Sequence, residues 1–188
     1  RVRFVEEKRL GYCGSCFTKD VKALQKAGKD VLYNFKILDS VIEVNEKQKT
    51  ILYPKIEKYF KGNLVNKKIA IWGLAFKPET DDVREAPAIY LMNKLLDKGA
   101  LLSVYDPEAM PNIEKKFGEK LNYSESMYDA LEDADALVIC TEWSVFRTPD
   151  FDKVKKLLNQ NIIFDGRNLY ETEEIKKEGF LYHSIGRI

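Results

Sequence analysis

The sequence predicts an α/β protein: a long helical N-terminal segment followed by a doubly wound parallel sheet. Three observations carry this. Between Asp20 and Lys61, apolar residues recur at helical spacing. After Gly62-Asn63, short apolar runs alternate with capped amphipathic stretches. Gly73, Gly99 and Gly166 close individual runs where a turn is needed.

The helical segment is capped by Thr18 or Asp20, and its apolar stripe runs through Val21, Leu24, Val31, Phe35, Leu38, Ile42, Leu52, Ile56 and Tyr59. Gly28 is the expected break, so a short helix precedes a long one over Val31–Tyr59 of roughly eight turns. So one-sided a helix needs a cover, either the following domain or a second copy of itself. The chain thus divides into residues 1–62 and 63–188.

In the second part, Lys67–Gly73 is a short buried strand running into a glycine turn. Glu85–Lys98 is a helix, Leu101–Asp106 a strand, Leu121–Tyr123 a weak strand and Ser124–Ala134 a short capped helix. Ala136–Thr141, Ile162–Gly166 and Phe180–Gly186 are strands, separated by helices at Phe151–Leu158 and Thr172–Lys177. Strands alternating with helices predict parallel pairing, which places ligands off the carboxyl ends of the strands. The loops that matter therefore follow Trp72, Tyr105, Cys140 and Phe164.

Composition narrows the function classes. Lys+Arg is 31 against Asp+Glu 30, so no net field recruits nucleic acid or an anionic membrane. No apolar run approaches the ~18 residues of a membrane span, and the opening RVRFVEEKRLGYCGS lacks the apolar core of a signal peptide. Three cysteines are too few and too odd for a secreted disulfide framework. A reducing, cytoplasmic compartment is expected.

The loop after the first strand reads GLAFKPETDDVRE. G-x-G-x-x-G is absent here and throughout the chain, so the backbone lacks the usual seat for a dinucleotide pyrophosphate. Lys77 and Arg84 flank the loop as candidate ligand cations, or as ordinary solvated charges. Arg167, in FDGRN, sits where a guanidinium can grip a phosphate or a sugar hydroxyl; the plainer alternative is a local salt bridge to Asp165. Trp143 and Phe146 in TEWSVFR suit a lid or core packing better than a base-stacking platform. His183 is the sole histidine, which removes Ser/His and Cys/His couples and leaves no metal site to assemble.

C-G-S-C at Cys13–Cys16 admits several uses. Zinc needs a second pair, and Cys140 is alone. A redox pair has the helix that follows in its favour but no preceding strand. As a single nucleophile, Cys16 heads the Lys19–Ala27 helix, whose dipole and nearby Lys19 favour a thiolate, with Asp20 one turn on to handle a water or a proton. A capped loop with two inert small residues is the fourth option, and the residues alone leave nucleophile, redox pair and inert loop open.

Taken together, these motifs carry a resemblance. GYCGSCFTKD resembles the GxGGSCFPKD active-site motif of the nucleotide-sugar 6-dehydrogenases, and GLAFKPETDDVREAPA is similar to their GLAFKPxTDDxRESPA segment. TEWSVFR, FDGRN and SIGR complete the pattern in order, over essentially the whole chain, and the UDP-glucose branch is resembled best, ahead of those acting on GDP-mannose or UDP-N-acetylmannosamine. The resemblance implies NAD as cofactor and oxidation of a nucleotide-sugar 6-hydroxyl in two hydride transfers through a cysteine thiohemiacetal and thioester. It implies Cys16 as the thiol and Asp20 as its partner in water and proton handling. Leu10, Gly11, Tyr12, Cys13 and Gly14 would form the substrate loop, with Phe76, Lys77 and Arg167 also on the UDP-sugar. Phe17, Thr18, Lys19 and Arg84 would face NAD.

The resemblance further implies that residues 1–62 are the active-site loop and a central dimerisation helix, and that residues 63–188 are a Rossmann-like UDP-sugar domain. The homodimer would pair through that helix. The NAD-binding N-terminal domain of such enzymes has no counterpart here, so the chain is expected to be the C-terminal part of a longer enzyme, inactive by itself. A non-catalytic nucleotide-sugar-binding and dimerisation module is the alternative from another class, and a thiol oxidoreductase a third. Two positions depart from the motif: Cys13 stands at a glycine, narrowing the approach to the sugar, and Thr18 stands at a proline. The family's trans-subunit arginine is not assigned to Arg1 or Arg3.

Overall fold

A computed structural model describes Leu10 and residues 15–187, with the side chains of residues 15–17 outside the description. Three helices come first: α1 (Ser15–Asp30), α2 (Lys36–Lys49) and α3 (Leu52–Tyr59). The strands are β1 (Lys68–Trp72), β2 (Leu101–Tyr105), β3 (Asn122–Tyr123), β4 (Ala136–Ile139), β5 (Ile162–Asp165) and β6 (Leu181–His183). They lie in the order β3-β2-β1-β4-β5-β6, every neighbour parallel. The order reverses between β1 and β4, which is where open sheets of this kind take ligands.

Alternation along β1 builds the two faces. Ile69 and Ile71 point into a core shared with α3, α4 (Pro87–Asp97) and α5 (Met110–Phe117). Ala70 and Trp72 point into the other, shared with α6 (Phe151–Leu157) and α7 (Thr172–Lys177). Phe146 and Trp143 belong to this second core, Phe146 stacked on Trp72 at 5.1 Å, so both aromatics are packing groups.

The expected single helix over Val31–Tyr59 is corrected to two, α2 and α3, and its separation from α1 is not made by Gly28. α1 runs past Gly28 and ends where Leu32 turns left-handed at φ 59°. The Tyr33 amide then donates to Gly28 O at 2.8 Å and the Leu32 amide to Lys29 O at 3.1 Å, the bonding pattern of a Schellman stop with leucine in the glycine position. Gly28 serves instead as a seat: a Cβ there would fall 2.5 Å from the Phe35 ring as the chain folds back. Between α2 and α3, Pro54 lacks an N–H and its ring would strike the Thr50 carbonyl, so the helix restarts with Pro54 in its first turn. Leu52 and Ile56 turn out to be core residues of the sheet domain, at 1% and 0% exposure, and do not continue a free stripe.

Two further differences lie in the sheet domain. Residues 124–134 form only a turn of 3₁₀-helix at Asp129–Leu131. The Met127 carbonyl, which an α-helix would give to Leu131, accepts instead from the Trp72 indole at 2.7 Å, and Leu131 bonds back to Tyr128. α5, unexpected from the sequence, is held by Ala109, Ile113 and Phe117 facing the core at helical spacing.

Candidate functional site

The carboxyl end of β1 depends on a glycine. Gly73 has φ +86°, and a Cβ on it would meet Thr141 Cβ at 2.5 Å and the Thr141 amide nitrogen at 2.7 Å. The chain then bends around a buried carboxylate. Asp106 Oδ2 accepts from the Leu74 amide at 2.6 Å, the Ala75 amide at 3.2 Å and the Trp143 indole at 3.1 Å. Its Oδ1 accepts from the amides of Glu108 and Ala109 at 3.0 and 2.9 Å. Thr141 Oγ1 closes the bend by donating to the Ala75 carbonyl at 2.6 Å. The bend delivers Phe76 half-buried and Lys77 exposed, with the Lys77 ammonium 5.5 Å over the Phe76 ring.

The loop after β5 is organised the same way. Asp165, fully buried, accepts from the Arg167 amide, the Leu169 amide and the Tyr182 hydroxyl, each at 2.7 Å. Burial pushes its carboxyl above the ordinary aspartate range despite those hydrogen bonds. The alternative of an Arg167 side-chain salt bridge to Asp165 is corrected: only the amide reaches Asp165. The guanidinium crosses to the first loop, donating to the Phe76 carbonyl at 3.0 Å, and forms an ion pair through Nε with Glu142 Oε2. Phe76 and Arg167, both predicted from sequence, are thus brought into direct contact.

Leu10 lies at the same edge. A Cβ on Gly166 would fall 2.6 Å from Leu10 Cδ1 and 3.0 Å from the Ile139 carbonyl, so the bare backbone of Gly166 makes Leu10's seat. Gly11, Tyr12, Cys13 and Gly14 lie outside the described residues, as do the side chains of Cys16 and Phe17. The backbone of Cys16 and Phe17 forms the first turn of α1, Thr18 is buried behind it, and Lys19 and Asp20 face solvent.

Arg84 is exposed and chelates Asp82, Nε to Oδ1 at 3.0 Å and Nη2 to Oδ2 at 2.9 Å, which holds the Asp82 carboxyl below its ordinary value. Its neighbour Glu85, at φ 56°, is a junction. The Lys49 ammonium of α2 donates to it at 2.7 Å, the Tyr90 hydroxyl of α4 at 2.6 Å, and Lys22 of α1 lies 3.9 Å away. The Lys49 side chain is fully buried. Burial would by itself lower its pKa, but hydrogen bonds to Glu85 and Glu46 prevail and raise it. His183 stacks on Phe164 at 5.1 Å, in keeping with a structural role.

Asp106, Glu142 and the Lys49–Glu85 pair are absent from the sequence-derived site. Asp106 had a usable signal, being an acid at the end of the strand after the first loop, where dinucleotide sheets keep a ribose-binding carboxylate. Here its oxygens are taken by five protein donors. Among the described residues no group of His, Cys, Asp and Glu is placed to hold a metal ion, and no helix is long and apolar enough to cross a membrane.

Comparison with known proteins finds relatives along nearly the whole chain. Residues 70–172 match the UDP-binding domain of the UDP-glucose/GDP-mannose dehydrogenase family, and residues 3–47 match its central domain. The UDP-glucose 6-dehydrogenase TuaD of Bacillus subtilis is 43% identical over 178 residues, which is 95% of this chain and 38% of that protein. A UDP-glucose 6-dehydrogenase of Pseudomonas aeruginosa is 41% identical over 94% of this chain and 40% of its own length. Among solved structures, a UDP-glucose dehydrogenase from the archaeon Pyrobaculum islandicum superposes with a TM-score of 0.81 at 30% identity, over 96% of this chain and 39% of that one. The chain spans about 40% of the length of the relatives it matches. By its match to the family's domains and by its fold, the chain belongs to the UDP-glucose/GDP-mannose dehydrogenase family.

Proposed function

We propose that this chain is the sugar-nucleotide-holding and thiol-bearing part of an NAD-dependent UDP-glucose 6-dehydrogenase, a cytoplasmic enzyme that oxidises UDP-glucose to UDP-glucuronate. The observation that carries the proposal is the meeting of Phe76 and Arg167 across the strand ends, with Leu10 seated beside them. The names of the relatives favour UDP-glucose over GDP-mannose or UDP-N-acetylmannosamine. Residues 63–188 would hold the UDP-sugar, and residues 1–62 would supply the active-site loop and the dimer contact.

In this mechanism Cys16 acts from the first turn of α1, where unpaired amides and the helix dipole favour a thiolate. Its electron pair forms a C–S bond to the C6 aldehyde carbon, and the resulting oxyanion takes up a proton. Loss of the second hydride from C6, together with release of the hydroxyl proton to solvent, leaves a thioester. Water, relieved of a proton with the help of Asp20, adds to the thioester carbonyl and expels the thiolate. NAD, when bound, supplies the acceptor for both hydrides. Lys19, an exposed cation, and Arg84, whose guanidinium is shared with Asp82, would hold it together with the α1 amides at Phe17 and Thr18, because cations and backbone donors suit a pyrophosphate. The buried Thr18 hydroxyl, without a hydrogen-bond partner among the described residues, fits the same assignment.

The dimer contact is best supported on α2. Ile37, Val41 and Val44 follow one another at helical spacing and are 84%, 42% and 63% exposed, with Leu24 of α1 at 51%. Burying each against a second copy contributes about 1.5–3 kcal/mol when complete. Light scattering across dilution should find a dimer, and Val41→Glu a monomer; a monomeric parent at micromolar concentration overturns the dimer. Calorimetric titration with UDP and UDP-glucose tests the binding site: both should bind, and Arg167→Gln should weaken UDP-glucose. Absence of binding at millimolar ligand would overturn it.

A further inference from the structure

Glu142 is held from both sides. Its predecessor Thr141 is tied to the Ala75 carbonyl and its successor Trp143 to Asp106, so the backbone between them has little freedom. The carboxylate lies against the Arg167 guanidinium, whose side chain is only 4% exposed. The Nε of Arg167 therefore faces Glu142, and one terminal N–H is taken by the Phe76 carbonyl. A guanidinium has five N–H donors, so donors remain for a ligand. What does not remain is net charge: guanidinium and carboxylate together are neutral, and a neutral pair in a poorly solvated setting attracts a phosphate far less than a lone cation. Lys77 differs. Its ammonium is exposed, and it has no carboxylate partner among the described residues.

We propose that Glu142 is a specificity-determining residue of the site. By neutralising Arg167 it makes the guanidinium a reader of the neutral, carbonyl- or hydroxyl-bearing portion of the ligand, and leaves the diphosphate to Lys77. This rests on the nucleotide-sugar reading given above. The division of labour selects a nucleotide sugar over the abundant simple phosphates that share its charge, because charge alone gains nothing at Arg167.

The test is titration calorimetry of the protein with inorganic pyrophosphate, UDP and UDP-glucose, on the parent and on Glu142→Gln, with thermal melting as the folding control. The parent should prefer both nucleotides to pyrophosphate. Glu142→Gln should bind pyrophosphate about tenfold more tightly, with a steeper salt dependence, and lose most of the preference for the nucleotides. If that variant does not fold, Arg167→Gln serves in its place, and should weaken UDP-glucose several-fold more than pyrophosphate. UDP and UDP-glucose titrated in parallel tell whether the uracil–ribose or the hexose is the part read; either supports the proposal. Glu142→Gln binding all three probes as the parent does, or losing all three equally, overturns it while leaving the site itself standing. No binding of any nucleotide by the parent removes the site and this proposal together.

Discussion

Asp106→Asn puts the organisation of the site under direct strain. The two side chains are nearly isosteric, but asparagine has one acceptor oxygen where Asp106 uses two. Oδ1 can continue to accept from Glu108 and Ala109. The Oδ2 position then becomes an NH₂ group facing three donors, the Leu74 and Ala75 amides and the Trp143 indole. Flipping the amide only transfers the conflict to the other pair. Hydrogen bonds to a charged acceptor contribute about 1.5–3 kcal/mol each, and a buried donor left without a partner costs about 1–3 kcal/mol. Allowing for sharing of one oxygen among three donors, the variant should lose about 3–5 kcal/mol. For a chain of this size that corresponds to a melting temperature lower by roughly 6–20 °C. Thermal melts followed by circular dichroism measure it, and hydrogen exchange at Leu74 and Ala75 localises it. A shift of less than about 2 °C, with those amides still protected, would refute the reasoning, because Asp106 would then not be what holds the loop.

The junction at Glu85 should respond unequally to loss of its two halves. Glu85→Gln leaves buried Lys49 with Glu46 as its one anionic partner among the described residues and should cost about 2–3 kcal/mol, whereas Lys49→Met frees two partly exposed carboxylates to water and should cost under about 1 kcal/mol in urea unfolding. His183 has its pKa lowered by burial and by Lys55 and Lys58, so its stabilisation is present above pH 6.5 and lost as pH falls through its lower folded value. Stability measured from pH 8 to 5 should decline on that account, and His183→Phe, which keeps the stack on Phe164, should flatten the decline. Burial pushes the Cys140 thiol up to about 12, so timed iodoacetamide labelling read by mass spectrometry should modify Cys16 well before Cys140. Equal rates would contradict a thiolate at the head of α1.

Much of the sheet was legible because a strand buried on both faces writes itself as a short apolar run, as in IAIW and ALVI. Helix interruptions were less legible, since they depend on contacts between distant residues. Gly28 reads as a break but serves as a seat for Phe35, while the stop itself uses Leu32, a residue with no breaking propensity. Pro54 carried a plain signal for the second interruption. The Ser124–Ala134 helix failed because Trp72, more than fifty residues earlier, takes a carbonyl that the helix needed. At the site, Lys77 and Arg167 were visible as cations just past strand ends, and Phe76 through the family resemblance. Glu142 was not, and Asp106 showed only by its place at a strand end; what each does depends on which donors converge on it, a property of the folded sheet.

The most direct test of where the nucleotide sugar sits is amide chemical-shift mapping of the isotope-labelled protein during titration with UDP-glucose. Residues 74–77 at the end of β1 and 166–168 after β5 should move together and saturate at one affinity, with the Arg167 side-chain Nε–H among the largest changes. Shifts confined instead to the cleft lined by Arg147, Phe151, Tyr170 and Glu174 between α6 and α7 would contradict the assignment of the strand-end loops as the nucleotide-sugar site.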